Sequence, residues 1–120
     1  MTTFQIDTAV DDLARPGAHV LRTAGTGVRV CFPNGWVVSV QWSAAHYCEN
    51  RRHARNGPPT PLLPARDSAT AEVAAWHSAS GCDGWPDGDL VRWPNGDTVI
   101  GYRTWQDVQS ILDLAERGAL

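Results

Sequence analysis

Arg51, Arg52 and Arg55 stand close together, with His46, Tyr47 and His53 interleaved and Trp42 just upstream. Guanidinium forks grip phosphate or carboxylate in paired hydrogen bonds, and aromatic rings stack on planar bases. The cluster therefore suits an anionic small molecule of nucleotide type, or an acidic protein surface. From His46 to Arg66 there are four arginines and one acid, a charge of +3, whereas the remainder of the chain carries −6. That segregation is the main electrostatic signal in the sequence. The bland counterpart is a solvated loop whose arginines pair with the acidic remainder or with a neighbouring subunit.

Other chemistry is less complete. Cys48 with His46 or His53 has the residue types of a nucleophile and a base, and a small hydrolase using Cys48, His46 or His77 is one alternative. Adjacency in sequence does not establish catalytic geometry, however. His46, Cys48, His53, His77 and Cys82 are candidate zinc ligands by type, yet the paired spacings of zinc sites are missing, so no metal or other cofactor is expected. Asp83, Asp87, Asp89 and Asp97 fall at turns, where Asp is favoured for local hydrogen bonding. No Gly-rich phosphate loop or Gly-x-Ser-x-Gly elbow accompanies the arginines. The balance leans away from an enzyme.

The 120 residues, 42% hydrophobic and 19% charged, have the composition of one soluble globular domain spanning 1–120. A net charge of −3 argues against double-stranded nucleic acid and anionic membranes as partners. All ten basic residues are arginine. No apolar run is long enough to span a bilayer, and the N-terminal residues lack the basic start and apolar core of a signal peptide. Three widely spaced cysteines in such a chain speak against a disulfide framework and for a reducing cytoplasm. Cys31 reads as a small buried hydrophobe. The six tryptophans, Trp36, Trp42, Trp76, Trp85, Trp93 and Trp105, are expected mostly in the core, with one or two left for recognition.

The elements that must position the cluster are legible in places. Val28, Val30 and Phe32, then Trp36, Val38, Val40 and Trp42, alternate with other residues across Pro33-Asn34-Gly35. A three-residue loop there sets Val30 opposite Val38 and Val28 opposite Val40, with the apolar residues on one face. Trp93-Pro94-Asn95-Gly96-Asp97 repeats the device and predicts a second hairpin, with Val91 opposite Val99 and Leu90 opposite Ile100. Thr70–His77 reads as a strand, with helix as the alternative. Thr104 and Asp107 form a capping box; Val108, Ile111, Leu112 and Ala115 follow at helical spacing, and Gly118 ends the helix. Residues 1–24 are poorly patterned. Asp7–Arg15 offers one or two helical turns stopped by Pro16-Gly17, or an arm packed on another subunit. Residues 43–69 are a long Arg/Pro-rich loop, the kind of stretch a compact domain keeps for function or leaves disordered. The expected architecture is α+β: an antiparallel sheet of four to five strands built from the two hairpins, with the C-terminal helix on one face.

The runs Val30–Val40, Tyr47-Cys48-Glu49-Asn50-Arg51, Thr70–Trp76 and Val99-Ile100-Gly101-Tyr102 together resemble a group of small proteins of bacteriophages and mobile elements of actinobacteria. The likeness spans roughly residues 26–115 and implies a strand at 70–77. It also implies a context, an accessory phage protein acting in the host cytoplasm, but brings no catalytic residue. The longer Arg/Pro-rich insertion departs from that pattern.

The leading expectation is thus a non-enzymatic binding protein, possible as a homo-oligomer, that uses the Arg-rich loop. Its rivals are an assembly protein self-associating through exposed tryptophans and the small hydrolase or metal-dependent enzyme.

Overall fold

The computed structural model describes residues 3–5, 7–23, 27–43, 46–49, 67–78, 82, 86 and 88–120. Five strands and two helices follow in the order α1 (Ala9–Asp12), β1 (His19–Thr23), β2 (Gly27–Cys31), β3 (Trp36–Gln41), β4 (Ala71–His77), β5 (Ile100–Arg103) and α2 (Trp105–Glu116). The strands form one antiparallel sheet in sequential order β1-β2-β3-β4-β5. The chain is therefore α+β, with the C-terminal helix across a face of the sheet. No helix among the described residues is long and apolar enough to cross a membrane.

Alternation explains which face is covered. Val28 stands opposite Val40 and Val30 opposite Val38, while Val38 and Val40 continue the row to Ala75 and Val73 on β4. These residues are buried together with Val108, Leu112 and Ala115 from one stripe of α2. Apolar side chains at period two on strands thus meet apolar side chains at helical period on α2. Thr104 Oγ1 accepts from the Asp107 amide at 3.2 Å, and the Asp107 carboxylate accepts from the Thr104 amide at 3.0 Å. That backbone hydrogen bond is the main reason the Asp107 carboxyl lies below its ordinary value of 3.8. At the other end the amides of Gly118 and Ala119 return to the carbonyls of Ala115 and Leu114, closing the helix in a Schellman arrangement.

The turn at residues 33–35 is closed by Phe32 N donating to Trp36 O at 2.8 Å and Gly35 N to Phe32 O at 3.0 Å. Gly35 has φ +94°, and a Cβ there would lie 2.6 Å from His77 Nε2. Glycine is needed both for the left-handed backbone and for the ring that lies over it.

Three expectations need correction. Residues 1–24 hold a strand: β1 pairs with β2 through Val20↔Val30, and Phe4 is buried and bridges to Ser68. Ala9 and Leu13 are buried within this chain. The helical turn expected there is present as the four residues of α1.

The second Pro-Asn-Gly turn has the same closing bonds, Trp93 N to Asp97 O and Gly96 N to Trp93 O, both 2.8 Å. Yet its flanks do not pair across it among the described residues. Leu90 bridges to Trp76 and Ile100 pairs with Val73, so both flanks lie along the edge of β4 and the turn is an excursion between them. The β4 edge offers hydrogen-bonding groups over its whole length, and a local turn does not compete with that template.

Cys31 is not a lone buried hydrophobe: it forms a disulfide with Cys82, Cα–Cα 5.6 Å. The third cysteine, Cys48, keeps its thiol and is buried in the core. Most of the described tryptophans lie in the core, as expected, and none of the five is exposed. Trp42, Trp76 and Trp93 are buried, while Trp36 and Trp105 are half-buried.

Candidate functional site

The two described flanks of the Arg/Pro-rich stretch are fastened to each other. After β3 the chain enters the core at Trp42, which is only 1% exposed and stacks on Phe4 with ring centroids 5.4 Å apart. His46 N then donates to Ser43 O at 3.1 Å, the His46 Nδ1 and Ser43 Oγ lie 2.5 Å apart, and Cys48 N donates to His46 O at 2.9 Å. Burial of Cys48 fixes the bend from below. The Glu49 amide donates to Thr70 Oγ1 at 2.9 Å, and the Glu49 carboxylate accepts from the Ala69 amide at 2.8 Å. Phe4 and Ser68 exchange two backbone bonds of 2.7 and 3.0 Å, which secure the returning flank. Residues 49 and 69 are thereby joined across the base of the stretch between them.

This base rests on an irregularity in β5. Between Val73↔Ile100 and Ala71↔Arg103 the register shifts, so that Gly101 and Tyr102 together stand opposite Glu72. Tyr102 has φ +55°, a left-handed conformation that a bulky side chain rarely takes. The Tyr102 amide donates to Tyr47 O at 2.9 Å, and the Tyr47 amide donates to Glu72 Oε2 at 2.6 Å. A Cβ at Gly101 would lie 2.9 Å from Tyr47 O, so only glycine admits this approach. Tyr47 and Tyr102 are 51% and 47% exposed, and they are the large hydrophobic side chains that the described surface presents.

Bonded through their backbones, the two tyrosines offer aromatic surface and phenolic hydroxyls at the root of the arginine-bearing stretch. The acids beside them are already engaged: Glu72 holds Tyr47, and Glu49 holds Ala69. The arrangement can stack on and hydrogen-bond to a planar or polar ligand.

Of the residues singled out from sequence, His46 and Tyr47 lie at this base. Trp42 does not face outward; its place against Phe4 leaves it no surface for a ligand and makes it a support. Arg51, Arg52, His53 and Arg55 fall outside the described residues. Tyr102, Glu72 and Glu49 were not anticipated. The only local hint is Gly101 inside a strand pattern, which marks a bulge or a close approach.

A cysteine-nucleophile site is not assembled. The Cys48 thiol is fully buried and donates to Ser43 O at 3.4 Å. His77 lies five residues from Glu72 along β4, about 16 Å at strand rise, where its Nε2 meets Asn34 O at 2.9 Å. No cluster of three or more His, Cys, Asp or Glu side chains fit to hold a metal occurs among the described residues.

No family model matches the chain, and no curated protein or solved structure is significantly similar to it.

Proposed function

We propose that the chain is a non-enzymatic binding protein that takes an anionic, nucleotide-like molecule or an acidic protein surface at the arginine-bearing stretch and the tyrosines beside its root. The observation that carries this reading is the fastening of Glu49 to Ala69 and Thr70 beside exposed Tyr47 and Tyr102. A stretch tethered at both ends presents its charges from a fixed base, which lowers the ordering cost of binding. Segregation of +3 on residues 46–66 against −6 elsewhere favours an anionic partner at this place. His46, Tyr47, Arg51, Arg52, His53 and Arg55 remain the proposed contacts, joined by Tyr102. Trp42, stacked on Phe4 in the core, is a support rather than a contact.

The resemblance to phage and mobile-element proteins supports an accessory role in the host cytoplasm. In that compartment a disulfide is more often transient than permanent, so Cys31 and Cys82 would cycle between states. Self-association through exposed tryptophans has less support, because none of the described tryptophans is exposed.

Isothermal titration calorimetry with nucleoside di- and triphosphates, and with pyrophosphate as a control for charge alone, tests the reading. Replacing Arg51, Arg52 and Arg55 with alanine abolishes or weakens the heat of binding while thermal stability is nearly unchanged. Polyglutamate in the same assay tests the acidic-surface version. Binding to none of these probes, or equal binding by the triple variant, overturns the proposal.

A further inference from the structure

The two Pro-Asn-Gly turns are close to a matched pair. Asn-Gly is the dipeptide from which an asparagine amide is most readily lost, because glycine has no side chain to keep its own nitrogen away from the preceding Cγ. In each turn the glycine is left-handed, Gly35 at φ +94° and Gly96 at φ +84°. Its amide donates to the residue before the proline, Phe32 O at 3.0 Å or Trp93 O at 2.8 Å. The asparagine Oδ1 accepts from the amide two residues on, Trp36 at 3.1 Å or Asp97 at 3.0 Å. Both asparagines are exposed. The turns differ in the nitrogen of the side-chain amide. Asn34 Nδ2 donates to two carbonyls of α2, Ala115 O at 2.8 Å and Glu116 O at 3.2 Å, whereas Asn95 Nδ2 has one longer contact, Val99 O at 3.3 Å. The His77 ring also covers Gly35, while a Cβ at Gly96 would meet no described atom within 4 Å. The third such pair, Asn56-Gly57, falls outside the described residues.

We propose that Asn95 is a spontaneous deamidation site of the folded protein, and that α2 holds Asn34, in the same turn sequence, back from the reaction. Water is the only co-reactant. The Gly96 nitrogen, having given its proton to solvent, attacks Cγ of Asn95. The new N–Cγ bond closes a succinimide as the Cγ–Nδ2 bond breaks, and Nδ2 takes up a proton and leaves as ammonia. Water then opens the succinimide at one carbonyl or the other, giving aspartate or isoaspartate. Before the attack the side chain must turn its Cγ toward the glycine nitrogen and give up the bonds of its amide. At residue 95 the amide nitrogen gives up one long, exposed bond; at residue 34 it must pull free of both α2 carbonyls. The additional bonding slows the step at residue 34 roughly ten-fold. The products differ too. A carboxylate formed at 95 loses only the contact with Val99 O. At 34 neither product can donate to Ala115 O or Glu116 O, so conversion there frees the end of α2. The first turn is thus protected by the helix that depends on it.

The test incubates the full-length chain at mildly alkaline pH, with and without denaturing urea, and digests samples with trypsin. Cleavage at Arg51 and Arg92 places the two asparagines in separate peptides, and mass spectrometry follows the conversion of each. The expected native result is loss of Asn95 roughly ten-fold faster than loss of Asn34. In denaturant the two rates converge, because the Pro-Asn-Gly sequences are the same. Molecules converted at 95 alone keep the urea midpoint of the starting protein, and those converted at 34 unfold at lower urea. Equal native rates, faster loss of Asn34, or no native conversion at Asn95 overturn the proposal. So does a rate difference that persists in denaturant, which assigns it to the flanking sequence rather than to α2. Because these readouts need no ligand, they stand apart from the fate of the proposed binding function.

Discussion

Asn34 Nδ2 donates to the carbonyl oxygen of Ala115 at 2.8 Å, so a side chain from the β2–β3 turn closes the C-terminus of α2, 81 residues away. It reaches Glu116 O as well, at 3.2 Å, while its own Oδ1 accepts from the Trp36 amide at 3.1 Å. The last carbonyls of a helix lack intrahelical partners; Asn34 supplies a donor to Glu116 O and a second one to Ala115 O beside the Gly118 amide. Asn34→Ala is expected to lower stability by about 1–2 kcal/mol in urea unfolding. Asn34→Asp is expected to be worse than alanine near neutral pH, since a carboxylate cannot donate and faces the negative end of the helix dipole. Equal midpoints for the two variants would remove that explanation.

The other end of α2 gives a pH dependence. Hydrogen bonds from Thr104, that of its backbone amide above all, favour the ionised Asp107 carboxyl and hold its folded value below 3.8. A carboxyl lowered on folding contributes stability that is present above its unfolded value and is lost as pH falls through the folded one. The wild type is therefore expected to lose this contribution below pH 3.8, while Asp107→Asn lacks that part of the acid dependence. At neutral pH, Thr104→Ala is expected to cost about 1 kcal/mol. Denaturant titrations at several pH values check both.

How much was legible follows from the range of each signal. Val28, Val30, Val38 and Val40 announce one face by alternation alone, and Val108, Leu112 and Ala115 announce a helix stripe; both patterns sit within a few residues. β1 escaped because His19 and Arg22 interrupt a run of only five residues, too short to display a period. The pairing of Leu90 and Ile100 with β4 was invisible for a different reason. Trp93–Asp97 has the same local turn bonds as Phe32–Trp36, and only the edge of β4 decides where the flanks go. An odd cysteine count hid Cys31–Cys82, because Cys48 supplies the parity while buried elsewhere. At the candidate site Tyr47 carried a local signal, whereas Tyr102 joins it through a bond between residues 55 apart in number, roughly the reach that no short motif covers.

The disulfide also has a thermodynamic consequence. It joins residues separated by 51 positions, and the loop so closed includes the whole Arg/Pro-rich stretch. Chain-entropy reasoning assigns a loop of that size about 4 kcal/mol, acting mainly on the unfolded state. Cys31→Ser/Cys82→Ser is therefore expected to fold with the same secondary structure but unfold at a clearly lower urea concentration, with a larger dependence on denaturant as its unfolded chain expands. An unchanged midpoint would show that the unfolded chain is already compact at this place.

Tyr102 separates stability from binding. Its φ of +55° is a conformation that costs a non-glycine residue on the order of 1 kcal/mol or more, and its side chain is 47% exposed. Little packing is available to offset that strain, whereas asparagine tolerates the left-handed region. Tyr102→Asn keeps the amide that donates to Tyr47 O, so the base of the arginine-bearing stretch stays fastened. The variant is expected to match or exceed the wild type in thermal unfolding and to bind nucleotide probes more weakly. Such a pairing is the mark of a residue kept for contact at some expense in stability. If Tyr102→Asn is less stable by more than about 1 kcal/mol, its aromatic ring belongs to the packing of β5 rather than to a ligand surface. Calorimetry on Tyr47→Ser, whose backbone bonds to Glu72 and Tyr102 do not depend on the ring, then decides whether the remaining tyrosine acts alone.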